Sequence, residues 1–236
     1  MSKKILAIIG LRSGSKGLKN KNIKDLGGKP LAAWIINAAK KSKYINKIIV
    51  STDSKKYAKI VNKYGAETPF LRPKKFSGDN SNELDFIKDV LKKLKNKNGY
   101  KPDIVVRLLA TCPFQKSKDI DKAIKIVLNK NYESSIIISE SKQHPEKALK
   151  IINSKKKYIV NFINDDWKSI GSKLNRQRFT KAYFRANAII SKTENIKKNG
   201  SLTTKRTGFI IIPKSIDIDD KYDFEFAKYM LKKKIN

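Results

Sequence analysis

The run Ile5–Leu11 is apolar or small throughout and empties directly into Arg12-Ser13-Gly14-Ser15-Lys16-Gly17-Leu18, followed by Lys21-Asn22. A short continuous apolar run bounded by turn residues reads as a strand buried on both faces. A cationic, glycine-punctuated loop after such a strand sits where open α/β sheets bind ligands, beyond the carboxyl ends of the strands. Gly14 and Gly17 are expected to let the backbone bring several N–H groups to one point, while Arg12, Lys16 and Lys21 supply charge for a polyphosphate. The spacing excludes two familiar phosphate loops. Gly14 is followed by Ser15, so there is no Walker A pattern, and Gly14-Ser15-Lys16-Gly17 breaks the dinucleotide fingerprint. Alone, the loop reads equally well as a solvated basic β–α turn.

Short apolar runs alternate with amphipathic segments along most of the chain, the pattern of a mainly parallel sheet flanked by helices. Strands are expected at 5–11, 47–51, 104–109, 134–139 and 208–212. Helices are expected at 31–43, opened by Pro30, and at 55–64, 84–95, 117–130 and 222–233. Residues 92–97 and the last few residues are expected to fray. From about 140 to 186 the alternation breaks into short, turn-rich basic pieces, an excursion from one domain spanning 1–236. An apolar run resumes at Ala188.

The 236 residues suit one sizeable α/β domain with an embellishment. The single cysteine, Cys112, excludes an internal disulfide and a thiolate metal cluster and fits a reducing, cytoplasmic setting. No run approaches the length of a membrane span, and the apolar run after Lys3-Lys4 meets Arg12 where a signal peptide would present a small-residue cleavage site. A net charge of +33 would ordinarily suggest nucleic acid as a partner. The lysines, however, are spread over almost every expected helix and turn, so most read as solvated faces.

Asp217 and Asp219 alternate with Ile216 and Ile218. In an extended backbone both carboxylates therefore face one side, their Cα atoms roughly 6 to 7 Å apart. That arrangement suits two oxygens converging on a Mg2+ that also binds phosphates. Solvated acids capping the final helix are the alternative, which fits Asp220 better. Asp53 ends the second expected strand on the ligand edge, where capping the next helix and a site role are equally open.

The ordered segments Arg12 to Gly17 with Lys21-Asn22-Ile23, Gly28-Lys29-Pro30-Leu31, Val50-Ser51-Thr52-Asp53, Leu71-Arg72-Pro73 and Ser215-Ile216-Asp217-Ile218-Asp219 resemble those of acylneuraminate cytidylyltransferases. These are the CMP-sialic acid synthetases and their relatives for legionaminic and pseudaminic acids. The resemblance implies a Rossmann-like fold of the nucleotide-diphospho-sugar transferase type, CTP and a nine-carbon 2-keto sugar acid as substrates, Mg2+ on Asp217 and Asp219, and a homodimer. It further implies that Arg12, Ser15, Lys16 and Lys21 hold the triphosphate, with Lys21 near the reacting phosphate. Asn22 matches a nucleotide-contacting position and Arg72 one that reads cytosine. Arg176, Arg178, Arg185 and Asn187 fall where the family carries arginines and an Arg-x-Asn-Gly element near the sugar acid, and bidentate arginine suits a carboxylate. The 140–186 excursion matches the family's dimer and sugar-lid segment.

The chain departs from the family in several places. Ala188 replaces the usual glycine, Asp79 to Glu83 replace a serine-rich element, and Arg107 to Gln115 stand where sialic acid enzymes read Leu-Leu-Gln-Pro-Thr-Ser-Pro-Leu-Arg. Leu109 there replaces a glutamine that helps recognise the sugar, and its side chain neither donates nor accepts a hydrogen bond. His144, the only histidine, is either a structural loop residue or one facing the sugar. Cys112 lacks a cysteine–histidine motif and is expected to be a buried thiol. A cytidylyltransferase for an eight-carbon acid such as Kdo, or another sugar nucleotidyltransferase on the same fold, is the nearest alternative activity. A basic nucleic-acid-binding protein is the alternative from another class.

Overall fold

The computed structural model describes residues 3–15, 17–141, 143–168 and 179–234, so Lys16, Arg176 and Arg178 lie outside the described residues. The regular elements are, in order, β1 (Ile5–Leu11), α1 (Leu31–Lys40), β2 (Lys47–Thr52), α2 (Lys55–Asn62), α3 (Glu83–Asn98), β3 (Ile104–Leu109) and α4 (Ser117–Leu128). There follow β4 (Ser134–Glu140), β5 (Leu149–Asn153), β6 (Tyr158–Asn161), β7 (Tyr183–Lys192), α5 (Thr193–Asn199), β8 (Thr207–Ile212) and α6 (Lys221–Lys232). The chain divides into two compact units, Ser139–Phe184 and the remainder. Within the smaller unit β5 and β6 form an antiparallel ladder with an irregularity between Ile151 and Asn153.

Six strands form one sheet in the order β2-β1-β3-β7-β4-β8. β1 runs parallel to both β2 and β3, whereas β7 is antiparallel to β3. The order reverses between β1 and β3, the position beyond whose carboxyl ends open α/β sheets hold their ligands. The two faces of β1 supply two cores. Ile5, Ala7, Ile9 and Leu11 pack with residues of α1 and α4, while Leu6 and Ile8 pack with Phe86, Ile87, Val90 and Leu91 of α3. A third cluster joins Leu26 and Leu31 to Ile218, Phe224 and Ala227, and so anchors the segment before α6 against the start of α1.

Several expected boundaries shift for local reasons. α3 runs through Asn98 without fraying at 92–97, because the left-handed Gly99 caps it and returns its N–H to the carbonyls of Leu94 and Lys95. α1 stops at Lys40, short of the expected 43. There the Ser42 hydroxyl and the Asp121 carboxylate accept the N–H groups of Lys43, Tyr44 and Ile45, a side-chain alternative to helical bonding. The β5–β6 ladder and α5 fall outside the expected elements. No helix among the described residues is long and apolar enough to cross a membrane.

Gly10 lies in register with Ser51 on β2 and Leu109 on β3. A Cβ there would sit 2.8 Å from the Phe86 ring and 3.0 Å from Nη2 of Arg72. Gly10→Ala should therefore destabilise the fold by about 1 to 3 kcal/mol, the usual cost of overpacking. Urea denaturation measures this, and an unchanged midpoint would show that Phe86 and Arg72 retreat freely.

Candidate active site

The loop after β1 is held from three directions. Both the backbone N–H and the hydroxyl of Ser13 donate to the Asp53 carboxylate, each at 2.9 Å. Asn22 is buried, and its Nδ2 donates to the carbonyl of Arg12 at 3.2 Å. Gly17 approaches the other side so closely that a Cβ would lie 2.5 Å from the Asp219 carbonyl oxygen. Glycine is thus needed at 17 for proximity. Gly14 and Gly17 both lie outside the left-handed region, and among the described residues of this loop it is Asn20 that is left-handed, with φ 56°. Ser15 closes a tight turn by donating its N–H to the carbonyl of Ser13.

The Asp53 alternatives resolve through the same geometry. Ser54, not Asp53, caps α2, its side chain accepting from Tyr57 N. Asp53 is left to brace the loop. Arg12 donates to the Gly78 carbonyl at 3.1 Å and pairs with Asp79 at 2.9 Å, joining the loop to the segment before α3.

Lys21, whose side chain is mostly buried, pairs with the Asp219 carboxylate at 3.0 Å. Asp217 and Asp219 are exposed while Ile218 between them is fully buried and Ile216 half-buried, the expected alternation. Ile218 is also pinned by its N–H, which donates to the Thr111 carbonyl at 2.9 Å. Asp220 caps α6 in a reciprocal capping box with Asp223, as expected from its position. The acids at 217 and 219 are thereby kept off the helix terminus.

Arg72 is 7% exposed, with Nε donating to Ser51 Oγ at 3.0 Å and Nη2 to the Ser51 carbonyl at 2.6 Å. Its guanidinium stacks 4.1 Å from the Phe86 ring centroid. Burial lowers its pKa to about 10, against the opposing charge of Asp53 and with the help of Arg12. It therefore stays cationic near neutral pH.

On the same face of the sheet, Arg107 donates from Nη1 to the Asn187 carbonyl at 2.7 Å and brings Nε to 3.0 Å from Glu83 Oε1. The Asn187 side chain accepts from Leu109 N at 2.7 Å. The fields of Arg185 and Asp217 both reach Arg107, placing these groups in one neighbourhood. Arg107 and Glu83 were not legible as a pair, since they lie 24 positions apart on consecutive elements, α3 and β3. Cys112 is 1% exposed and its thiol pKa is pushed well up, first by burial and then by Asp217, which removes it as a nucleophile. In the smaller unit His144 stacks on Phe179 and meets the Thr180 carbonyl at 2.8 Å, and its Nδ1 accepts from Glu146 N. These bonds give the histidine a structural place in its own loop.

A family model described as cytidylyltransferase matches residues 6–234. The chain belongs to the cytidylyltransferase family. Post-translational flagellin modification protein B of Campylobacter coli is 30% identical over 239 residues, covering 98% of this chain and 96% of that protein. The N-acylneuraminate cytidylyltransferase of Escherichia coli O18:K1:H7 is 33% identical over 99% of this chain, which spans only 54% of that relative. Among solved structures, a CMP:2-keto-3-deoxy-manno-octonic acid synthetase complexed with CTP superposes with a TM-score of 0.71 at 14% identity, covering 98% of this chain and 100% of that one. That likeness bears on the fold of the family alone.

Asp53→Ala removes the acceptor of two hydrogen bonds from Ser13 and should cost about 1.5 to 3 kcal/mol, the range for a hydrogen bond to a charged group. It should also weaken nucleotide binding. Ser54→Ala should cost about 1 kcal/mol through the lost cap and leave nucleotide binding alone. Calorimetric titration with CTP, alongside thermal melts, separates the two. Equal nucleotide affinity in both variants would detach Asp53 from the loop's function.

Proposed function

We propose that this chain transfers the CMP group of CTP to the anomeric hydroxyl of a nine-carbon 2-keto sugar acid of the sialic, legionaminic or pseudaminic type. The observation that carries the reading is the meeting of Lys21 with Asp219, beside the braced loop at the open end of β1. Cytidylyl transfer needs cations for a triphosphate next to carboxylates for a metal, and this edge supplies both. The sugar oxygen attacks the α-phosphorus in line. A new O–P bond forms as the bond to the bridging oxygen of the β-phosphate breaks, the hydroxyl proton passes to solvent water, and pyrophosphate departs.

Lys21 and Arg12, with Lys16 of the same loop, stabilise negative charge on the phosphates and the leaving group. Ser15 and the N–H groups of the loop add neutral donors. Asn22 acts through the Arg12 carbonyl that it holds. Arg72 would read cytosine with donors that Ser51 does not occupy. Arg185 and Asn187 serve the sugar acid, and Arg176 and His144 are proposed for the same substrate.

Asp217 and Asp219 fit Mg2+: both are hard oxygen donors, exposed on one side of a pinned segment. No cluster of three or more His, Cys, Asp or Glu suited to a metal occurs among the described residues, so substrate phosphates would complete the coordination. When bound, the ion supplies Lewis-acid polarisation of phosphate oxygens. A homodimer is part of the proposal, supported by the exposed Leu149, Ile151, Ile152, Phe162, Ile163 and Trp167 of the smaller unit. A cytoplasmic setting agrees with the single buried cysteine.

The deciding assay combines the protein with CTP, Mg2+ and a panel of nine- and eight-carbon keto acids, with products identified by mass spectrometry. A CMP-sugar from a nine-carbon acid is expected. Preference for an eight-carbon acid would replace the substrate, and tight, salt-sensitive binding to nucleic acid without turnover would replace the function.

Asp217→Asn and Asp219→Asn should each lower kcat by about two orders of magnitude or more with the fold intact, since several kcal/mol of transition-state stabilisation would go with the metal. Chelation should do the same, and full turnover in both variants would remove the metal assignment. Lys21→Ala should depress kcat more than it raises KM for CTP. Leu109 is half-exposed at the end of β3, where its apolar side chain favours a deoxygenated edge of the sugar. Legionaminic- or pseudaminic-type acids should therefore exceed N-acetylneuraminic acid in kcat/KM, and equal use of the three would deny Leu109 that role.

A further inference from the structure

Arg107 is a costly residue for its place. It occupies the interior of β3, its side chain is 2% exposed, and its neighbours along the strand are apolar. Burial lowers its pKa, opposed by the nearby Glu83 carboxylate. Nε lies 3.0 Å from Glu83 Oε1 but lacks hydrogen-bond alignment, so the pair holds by charge and proximity. Similar-sized apolar residues commonly replace buried ion pairs without loss of stability. Stability alone therefore gives a weak reason for arginine here, and the sialic acid enzymes it resembles read leucine.

What Arg107 does hold is Asn187. Its Nη1 grips the Asn187 backbone carbonyl at 2.7 Å, two residues along β3 from Leu109, whose N–H donates to Asn187 Oδ1 at 2.7 Å. The second bond settles the orientation of the amide, because an N–H requires the oxygen opposite it. Nδ2 is then the remaining polar atom. It is buried and has no partner, on a residue 2% exposed. A buried donor without an acceptor is costly, and sites built around such groups discriminate strongly in favour of ligands that satisfy them. Leu109, Arg107 and Asn187 share the sheet face that also carries Arg72.

We propose that Arg107 is a positioning residue that sets sugar-acid selectivity through Asn187, fixing its backbone so that Nδ2 is presented beside Leu109 to an acceptor oxygen of the sugar acid. The inference rests on the cytidylyltransferase reading above. The acceptor belongs to a carbonyl or carboxylate group next to a C–H-rich edge of the ligand. The polar selectivity that a residue at 109 would exert is thus moved across to β7, with Arg107 as its support.

The test is steady-state kinetics of the 236-residue chain with CTP, Mg2+ and the sugar acid it turns over best. Arg107→Met should raise KM for the sugar acid about tenfold, the loss expected from one misaligned hydrogen bond, while KM for CTP stays within about twofold. Arg107→Lys, which keeps the charge without the fork, should give an intermediate shift. If Arg107→Met does not fold, Glu83→Gln serves in its place: release of the guanidinium should raise KM for the sugar acid in the same direction and spare CTP. Asn187→Asp retains Oδ1 for Leu109 N–H and replaces the donor by an acceptor, and should lose the sugar acid more severely than either. A folded Arg107 variant with unchanged KM values, or with both raised equally, overturns the inference while the enzymatic reading stands. A wild-type protein inert towards every keto acid overturns that reading and the inference with it.

Discussion

The atom absent at Gly10 is the constraint on which both halves of the site depend. The Arg72 guanidinium and the Phe86 ring occupy the space a side chain would take, 3.0 and 2.8 Å from where its Cβ would stand. Their stacking brings α3 down onto the end of β1, and α3 begins at Glu83, which faces Arg107. Ser51 holds Arg72 on one side of Gly10 and Leu109 adjoins it on the other. One row across three parallel strands therefore sets the positions of Arg72, Leu109 and the Asn187 beyond it.

Carboxylates are the scarce groups in a chain with 54 lysines and arginines against 21 acids. Around the open ends of β1 and β3 they are spent on particular cations: Asp79 on Arg12, Asp219 on Lys21 and Glu83 on Arg107. Asp53 instead accepts from Ser13, and its charge is felt at Arg72. Elsewhere most lysines project into solvent, where repulsion is screened and weak. Other pairs, such as Lys47 with Glu67 and Arg206 with Glu133, lie elsewhere, but those first three stand at the end of the sheet where the strand order reverses, which is where a polyanion gains most from fixed charge.

The loop after β1 depends on these supports because little in its own backbone would hold it. Gly17 fits under the Asp219 carbonyl, and Ile218, locked in the third core cluster, fixes the height of that carbonyl. A residue buried among Leu26, Leu31 and Phe224 thus positions the acids on either side of it. Packing and site geometry are one problem at this point, and a disturbance at Ile218 would reach both carboxylates and the loop together.

β1 and β3 were legible to the residue, because a continuous apolar run between turn signals leaves a strand little freedom. The exposure of Asp217 and Asp219 opposite the inward isoleucines followed from alternation alone, as did the cap at Asp220. Family membership was legible too, since its motifs lie in local segments. Local pattern did not disclose the partners: Asp53 with Ser13, Lys21 with Asp219, and Arg107 between Glu83 and Asn187. Periodicity reports which face a residue occupies, whereas these pairs arise when strands distant in sequence are laid side by side. The sequence by itself thus determined the strands, the acids' common side and the kind of ligand edge. Tertiary structure alone decided which charge meets which, because that depends on strand order and register across the sheet.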